Sequence, residues 1–422
     1  MRDQVTIYPS RLSGEITIPP SKSQTMRALL FASLAEGESV IKSSLPSPDT
    51  KAMIKAISLL GSSIQEQNQE LKVIGGHTKA SDIIDAGNSG QILRFIGAVS
   101  ALLPSYTVIT GDHSLKTRRP VKPLIDGLNQ LGAFATTLHK DHAPILIKGP
   151  LKGGVATISG EDSQPVSGLL MAAAFAHESS EIRVTSIGET PWIDLTLSWF
   201  DRLGITYHNN CYQQYQIPGR SQIKGFEYTV AGDWSSALYP LAAALVTQSE
   251  VTLHGLDFQD AQGDKKVMDL LMQMGASFTL DEKARQLTVK RSSLLKGQTI
   301  DVSPFVDAIT LLPVIACYAT TPTVITGGKI TRLKESDRIH AIVTELKKMG
   351  ALIEEKEDGM IITPSTLYGA HVNTYHDHRM ALALSIAALG AKGPTTIQGV
   401  GVVNKSFPNY FKELKRLGVH LE

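Results

Sequence analysis

Short amphipathic segments that end in an apolar residue and a glycine recur along the chain. They read Ile57-Ser-Leu-Leu-Gly61, Leu128-Asn-Gln-Leu-Gly132, Phe200-Asp-Arg-Leu-Gly204, Leu271-Met-Gln-Met-Gly275, Leu346-Lys-Lys-Met-Gly350 and Leu414-Lys-Arg-Leu-Gly418. Their glycines stand 71, 72, 71, 75 and 68 residues apart, a period held too closely to be chance. Each segment reads as the end of a helix whose glycine takes the left-handed C-terminal position. A β-prone stretch usually follows, as in Ala351-Leu-Ile-Glu-Glu355.

Upstream lies a second shared pattern: a short strand, a polar turn, a strongly apolar helix, then another strand. Examples are Glu15-Ile-Thr-Ile18 into 22–34, Val155-Ala-Thr-Ile-Ser159 into 162–175, Tyr228-Thr-Val230 into 233–246, and Val372-Asn-Thr374 into 377–389. These helices are rich in Ala and Leu and nearly uncharged around their circumference, which predicts burial on every side. The unit is therefore β-α-β-α-β-β, about 71 residues long and used six times. The expected fold class is α/β (α+β), with two similar lobes of three βαβαββ units each and parallel buried helices. The expected division is a discontinuous lobe of residues 1–20 and 234–422 and a second of 21–233. Helix N-termini gathered at one end of each lobe, and facing each other, would form a cleft suited to a multiply anionic ligand, and there the active site is expected.

At 422 residues the chain exceeds one ordinary core, in keeping with two domains. Apolar residues at 42% and charged residues at 19% exclude a disordered chain. A formal net charge of +1 offers no field for nucleic acid or anionic lipid, so any anion site must gather Lys and Arg locally. Cys211 and Cys317 lie too far apart in sequence to suggest a disulfide framework or a metal cluster. The start, Met1-Arg-Asp-Gln-Val-Thr-Ile-Tyr8, carries no signal or transit pattern, and no run has the length of a membrane span. A cytoplasmic protein is expected.

The polar turns before the apolar helices hold most of the unusual residues. The first is Pro20-Ser21-Lys22-Ser23-Gln24-Thr25-Met26-Arg27, in which cations and a hydroxyl meet a helix start; a solvated cap is the plain alternative. The second, Gly87-Asn88-Ser89-Gly90-Gln91-Ile92-Leu93-Arg94, suits a tight turn with close backbone approach. Ser159-Gly160-Glu161-Asp162-Ser163-Gln164 and Gly232-Asp233-Trp234-Ser235-Ser236 read as capping sequences. In the fifth, Asp307 interrupts the apolar run 305–313, where a carboxylate needs a partner or a task. The sixth, Tyr375-His376-Asp377-His378-Arg379-Met380, offers two His only two apart and no third ligand cluster, which argues against zinc. Two further pieces are Lys334-Glu335-Ser336-Asp337-Arg338 and Lys405 in Asn404-Lys405-Ser406-Phe407-Pro408.

Together these segments resemble the enolpyruvyl transferases, and within them the branch that acts in the shikimate pathway. The family pattern runs as Lys-Ser…Arg, Gly-Asn-x-Gly, Ser-Gln, Gly-Asp-x-Ser-Ser, Lys-Glu-x-Asp-Arg, Asp-His-Arg-Met and Lys-x-Phe-Pro. All seven stand here in that order between residues 20 and 408. The resemblance implies transfer of the carboxyvinyl group of phosphoenolpyruvate to the 5-hydroxyl of shikimate-3-phosphate, with release of phosphate, on the way to chorismate and the aromatic amino acids. It implies a monomer with no metal or organic cofactor, and it implies the same six-unit fold.

By matching position, Lys22, Arg119, Arg338, Arg379 and Lys405, with Gly90 and Gln164, are implied to surround phosphoenolpyruvate. Ser23 and Arg27 are implied to hold the shikimate carboxylate, and Ser163, Gln164 and Lys334 to line the sugar side together with Lys22 and Asp307. Asp307 is implied to take the proton of the hydroxyl and Glu335 to act as the acid, with Lys22 and His378 in support. Some positions depart from the pattern: Asp162 stands for a Ser, Glu189 for a small hydroxyl residue and Trp192 for a Tyr. Ser89, Gln91 and Phe95 replace Ala, Thr and Pro near Gly90. Asp162 is expected to cap its own helix and Glu189 to be held by a cation such as Arg183. Rival readings remain: a cell-wall branch acting on UDP-N-acetylglucosamine, against which stands the lack of any cysteine before Cys211; an RNA-end cyclase, against which stands the balanced charge; and a catalytically altered phospho-ligand binder.

Overall fold

The computed structural model describes residues 3–67, 70–292 and 295–422. Its strands form six small sheets, five of four strands and one of three. In four of them a strand, a buried helix and a second strand parallel to the first follow one another directly. These are Ile84–Asp85 and Tyr106–Thr110, Gly154–Ser159 and Ser180–Thr185, Thr299–Asp301 and Thr323–Thr326, and His371–Asn373 and Thr395–Gln398. An outer helix and an antiparallel hairpin complete the unit, as where Lys122–Gln130 leads into Phe134–His139 and His142–Lys148. All six repeat glycines take positive φ, from +69° at Gly204 to +108° at Gly275, the region where a missing Cβ removes the steric penalty.

The buried helices are α1 (Lys22–Leu34), α2 (Gly90–Ser100), α3 (Ser163–Ala174), α4 (Trp234–Val246), α5 (Leu312–Cys317) and α6 (His378–Gly390). Two of their hydroxyls bond to the preceding turn: Thr25 Oγ1 donates to Ser21 O at 2.8 Å and Ser385 Oγ to Ala381 O at 2.7 Å. Five carry a side-chain N-cap: Ser21, Ser89, Asp162, Asp233 and Asp377. α5 departs from the repeat. It is short and preceded by a 3-10 segment, Ser303–Thr310, in which Phe305 is non-helical at φ −146° and ψ 51°. Pro313 has no N–H for the Ile309 carbonyl and its ring crowds that carbonyl, which disfavours a continuous helix here.

The chain divides into two compact units, Met1–Pro19 with Ala231–Glu422 and Pro20–Val230, each with its own hydrophobic core. Two strands break the order of the repeated unit. Ser13–Thr17 does not share a sheet with the strand after α1; it pairs in parallel with Glu250–His254. Glu227–Thr229, which precedes α4 in the chain, pairs in parallel with Glu38–Lys42 instead. The chain passes between units after each strand and before the next helix, so periodicity joined elements that pairing separates. The sixth unit is closed by both chain ends. Gln4–Ile7 pairs antiparallel with Thr395–Gln398, and Thr6 and Glu422 exchange backbone hydrogen bonds of 2.9 Å each. Among the described residues no helix is long and apolar enough to cross a membrane.

Candidate active site

In the unit Pro20–Val230 the starts of α1, α2 and α3 bring the predicted residues into contact. Lys22, the first residue of α1, lies 3.7 Å from the buried carboxylate of Asp49. Ser23 Oγ accepts from Gln91 Nε2 at 3.1 Å, which gives one of the unusual α2 residues a purpose. Arg27 is 2% exposed and braces α1 against Thr190–Leu203. It donates to Thr196 Oγ1 at 3.0 Å and to Trp192 O at 3.1 Å, and lies 5.1 Å from the centre of the Phe95 ring. Phe95, another departure, thus forms the apolar face on which this guanidinium rests.

Around Gly90 the crowding is close. A Cβ there would meet Arg94 Nη1 at 2.8 Å, Gln164 Oε1 at 3.0 Å and Arg119 Nη1 at 3.2 Å. Two guanidiniums and an amide therefore converge at the N-terminus of α2, whose unpaired N–H groups carry partial positive charge. Arg119 is aimed by Asn88, donating to its carbonyl at 3.3 Å and its Oδ1 at 3.4 Å. Asn88 is itself tied to Asp112 and Ser114. Burial pushes Asp112 up, but bonds from Asn88, the Leu115 N–H and Ser114, with the Arg119 charge, outweigh it and hold its carboxyl below the ordinary range.

At α3 the capping expectation for Asp162 holds. Its Oδ1 accepts from Gln164 N at 3.0 Å, and its Oδ2 lies 3.1 Å from Arg94 Nη2. Arg183 is not the partner of Glu189; it pairs with Glu181 at 2.6 Å on the same strand. Glu189 instead accepts from both the N–H of Ser163 at 3.0 Å and its hydroxyl at 2.7 Å.

In the other unit the cluster centres on Arg338, 2% exposed, at the first position of Arg338–Lys348. Its guanidinium donates to three carboxylates: Asp377 Oδ2 at 2.8 Å, Asp307 Oδ1 at 2.7 Å and Glu335 Oε2 at 2.9 Å. Arg379 donates to the other oxygen of Asp307 at 2.6 Å, and Lys405 to the other oxygen of Glu335 at 2.7 Å. Burial would lower the pKa of Arg338, but the charges of Asp377, Glu335 and Asp307 outweigh it and raise it well above its ordinary value. Arg379 is likewise raised: burial opposes the charge, and Asp307, Tyr239 and Asp264 favour it more. His378 Nδ1 lies 3.6 Å from Asp377 Oδ1. Lys334 is half-buried at the end of the 3-10 turn Lys329–Leu333.

Sequence reasoning did not assign site roles to Asp49, Arg94, Asp264 or Asp377. A usable signal existed. Partners lie close to one repeat apart: 68 residues for Gln91 and Ser23, 70 for Arg94 and Gln164, 72 for Arg379 and Asp307, 70 for Lys405 and Glu335. Helix starts of neighbouring units pack side by side, so equivalent positions meet.

The model of the EPSP synthase (3-phosphoshikimate 1-carboxyvinyltransferase) family matches residues 7–414. The chain belongs to that family. It is 40% identical over 422 residues to the 3-phosphoshikimate 1-carboxyvinyltransferase of Chlamydia caviae, covering 99% of this chain and 94% of that one. The same enzyme of Chlamydia felis is 40% identical over 425 residues with the same coverage. The solved EPSP synthase of Acinetobacter baumannii superposes with a TM-score of 0.82 at 27% identity, covering 99% of both chains. Membership supplies the fold expected from the repeat, two lobes of repeated α/β units.

Proposed function

We propose that this chain transfers the carboxyvinyl group of phosphoenolpyruvate to the 5-hydroxyl of shikimate-3-phosphate, releasing phosphate, in chorismate and aromatic amino acid biosynthesis. One observation carries the reading: Arg338, Arg379 and Lys405 converge on Asp307 and Glu335. The reaction needs one carboxyl as acid and one as base, among cations that stabilise an anionic donor. Glu335 delivers a proton to the methylene carbon of phosphoenolpyruvate, and the 5-hydroxyl attacks the adjacent carbon while passing its proton to Asp307. The tetrahedral ketal phosphate then loses phosphate as a proton leaves the new methyl group and the double bond returns. Lys22 and His378 support the acid.

Lys22, Arg119, Arg338, Arg379 and Lys405, with Gly90 and Gln164, hold phosphoenolpyruvate. Ser23, Arg27, Ser163, Gln164, Lys334 and Asp307, with Lys22, hold the acceptor. The reaction calls for no metal or organic cofactor, and the working form is a cytoplasmic monomer. Asp307 and Glu335 set two carboxylates against the three cations Arg338, Arg379 and Lys405, so an arriving anion competes with these carboxylates for the same donors. A carboxylate that loses its cationic partner in a closed site favours its protonated form, which suits Glu335 for its role as acid.

The test is phosphate release from phosphoenolpyruvate with shikimate-3-phosphate as acceptor, against UDP-N-acetylglucosamine. Activity is expected only with the former. Glu335→Gln and Asp307→Asn are each expected to lower kcat by roughly 10² or more. Near wild-type turnover in both variants refutes the assignment.

A further inference from the structure

The seat at the start of α3 already holds an anion of the protein's own. The N–H and hydroxyl of Ser163 both donate to one oxygen of Glu189, at 3.0 and 2.7 Å. An N–H at the first position of a helix has no intrahelical acceptor, so together with the hydroxyl it forms a two-donor cradle backed by the helix dipole. Glu189 is 4% exposed and sits at φ 49°, ψ 36°, in the left-handed region that is strained for a residue with a Cβ. The backbone therefore accepts strain at the residue whose carboxylate fills this cradle. Asp162 does not compete for it, because its own carboxylate is spent on the Gln164 N–H and Arg94.

We propose that Glu189 is a built-in stand-in for the acceptor's phosphate, displaced from Ser163 when a phosphorylated acceptor binds, and that this exchange sets the enzyme's affinity for that acceptor. The inference rests on the acceptor reading given under the proposed function, in which Ser163 lines the sugar side. A phosphate oxygen would make the same two bonds that Glu189 now makes, so one anion must yield to the other. Both cannot stay, since two anions competing for the same two donors repel each other in a site that water screens poorly. Glu189 thereby weakens binding of phosphorylated acceptors and leaves binding of an unphosphorylated one untouched.

Isothermal titration of shikimate-3-phosphate and of shikimate into the wild type, Glu189→Asn and Glu189→Gln tests this. Asn tolerates the left-handed backbone and withdraws the acceptor by one methylene. Gln keeps an acceptor oxygen on Ser163 and removes only the charge. The expected result is a Kd for shikimate-3-phosphate at least tenfold lower in Glu189→Asn and several-fold lower in Glu189→Gln, with the Kd for shikimate within twofold throughout. An unchanged or weaker affinity for shikimate-3-phosphate overturns the proposal, and so does an equal gain for both ligands. A variant that no longer folds would lose its cooperative melt, and the second variant then decides. A wild type that binds both ligands, with variants that gain nothing for shikimate-3-phosphate, overturns this inference alone. A wild type that binds neither ligand overturns the acceptor reading itself.

Discussion

Asp264 is fully buried, with Ser235 donating to one carboxylate oxygen and no hydrogen bond to the other among the described residues. Burial and the charge of Asp307, only partly offset by Arg379 and the Ser235 bond, raise its pKa from 3.8 to about 7, with Asp233 adding a smaller push. The folded protein thus keeps a proton that the unfolded chain releases from about pH 4 upward. Its contribution to stability is complete below that pH and is lost as pH rises through about 7. Asp264→Asn keeps an acceptor for Ser235 and removes the titration. The variant is expected to match the wild type near pH 4.5 and to exceed it at pH 8 by on the order of 1–3 kcal/mol. Melting curves across that range check this; an unaltered pH slope in the variant contradicts it.

The six helix ends repeat one backbone solution in different surroundings, which separates intrinsic strain from packing. At Gly275, φ is +108° and an added Cβ would meet nothing within 4 Å. Gly275→Ala is therefore expected to cost only the left-handed penalty, about 1 kcal/mol. At Gly61, φ is +104° and the Cβ would come 2.4 Å from Thr78 Oγ1, a hydroxyl that donates to Leu60 O at 3.2 Å. Gly61→Ala should lose that bond as well, for a total of roughly 2–3 kcal/mol. Urea denaturation of the two variants measures the difference, and equal losses would show that packing does not distinguish these ends.

At the scale of the whole molecule, the chain ends are part of one sheet. Gln4–Ile7 covers the edge of Thr395–Gln398, and Val5 and Ile7, 6% and 0% exposed, enter the core of that unit. Removing residues 1–8 would uncover a strand edge and delete two buried side chains worth about 1.5–3 kcal/mol each. The truncated chain is expected to melt lower and to aggregate more readily than the full one, by scanning calorimetry and light scattering. An unchanged melting temperature would mean the strand is an ornament. The balanced net charge of +1 fits the way the site is built, since its cations are matched locally by carboxylates rather than left as a field over the surface.

The repeat, the left-handed glycines, the capping turns and the uniformly apolar helices were legible in the sequence, because each depends on residues within a turn or two of one another. The order of the charged motifs was enough to suggest the family. Which strands Ser13–Thr17 and Glu227–Thr229 would pair with was not legible, because adjacency in the chain says nothing about which edge a strand will find. Nor was the seat of Glu189, whose bond to Ser163 spans 26 residues and depends on a left-handed backbone at a non-glycine residue. Arg338 marks the boundary most clearly. Its charge and its place beside Lys334, Glu335 and Asp337 can be read from the chain. That it binds three carboxylates at once follows from packing, which gathers Asp307, Glu335 and Asp377 around a buried cation that water can no longer solvate.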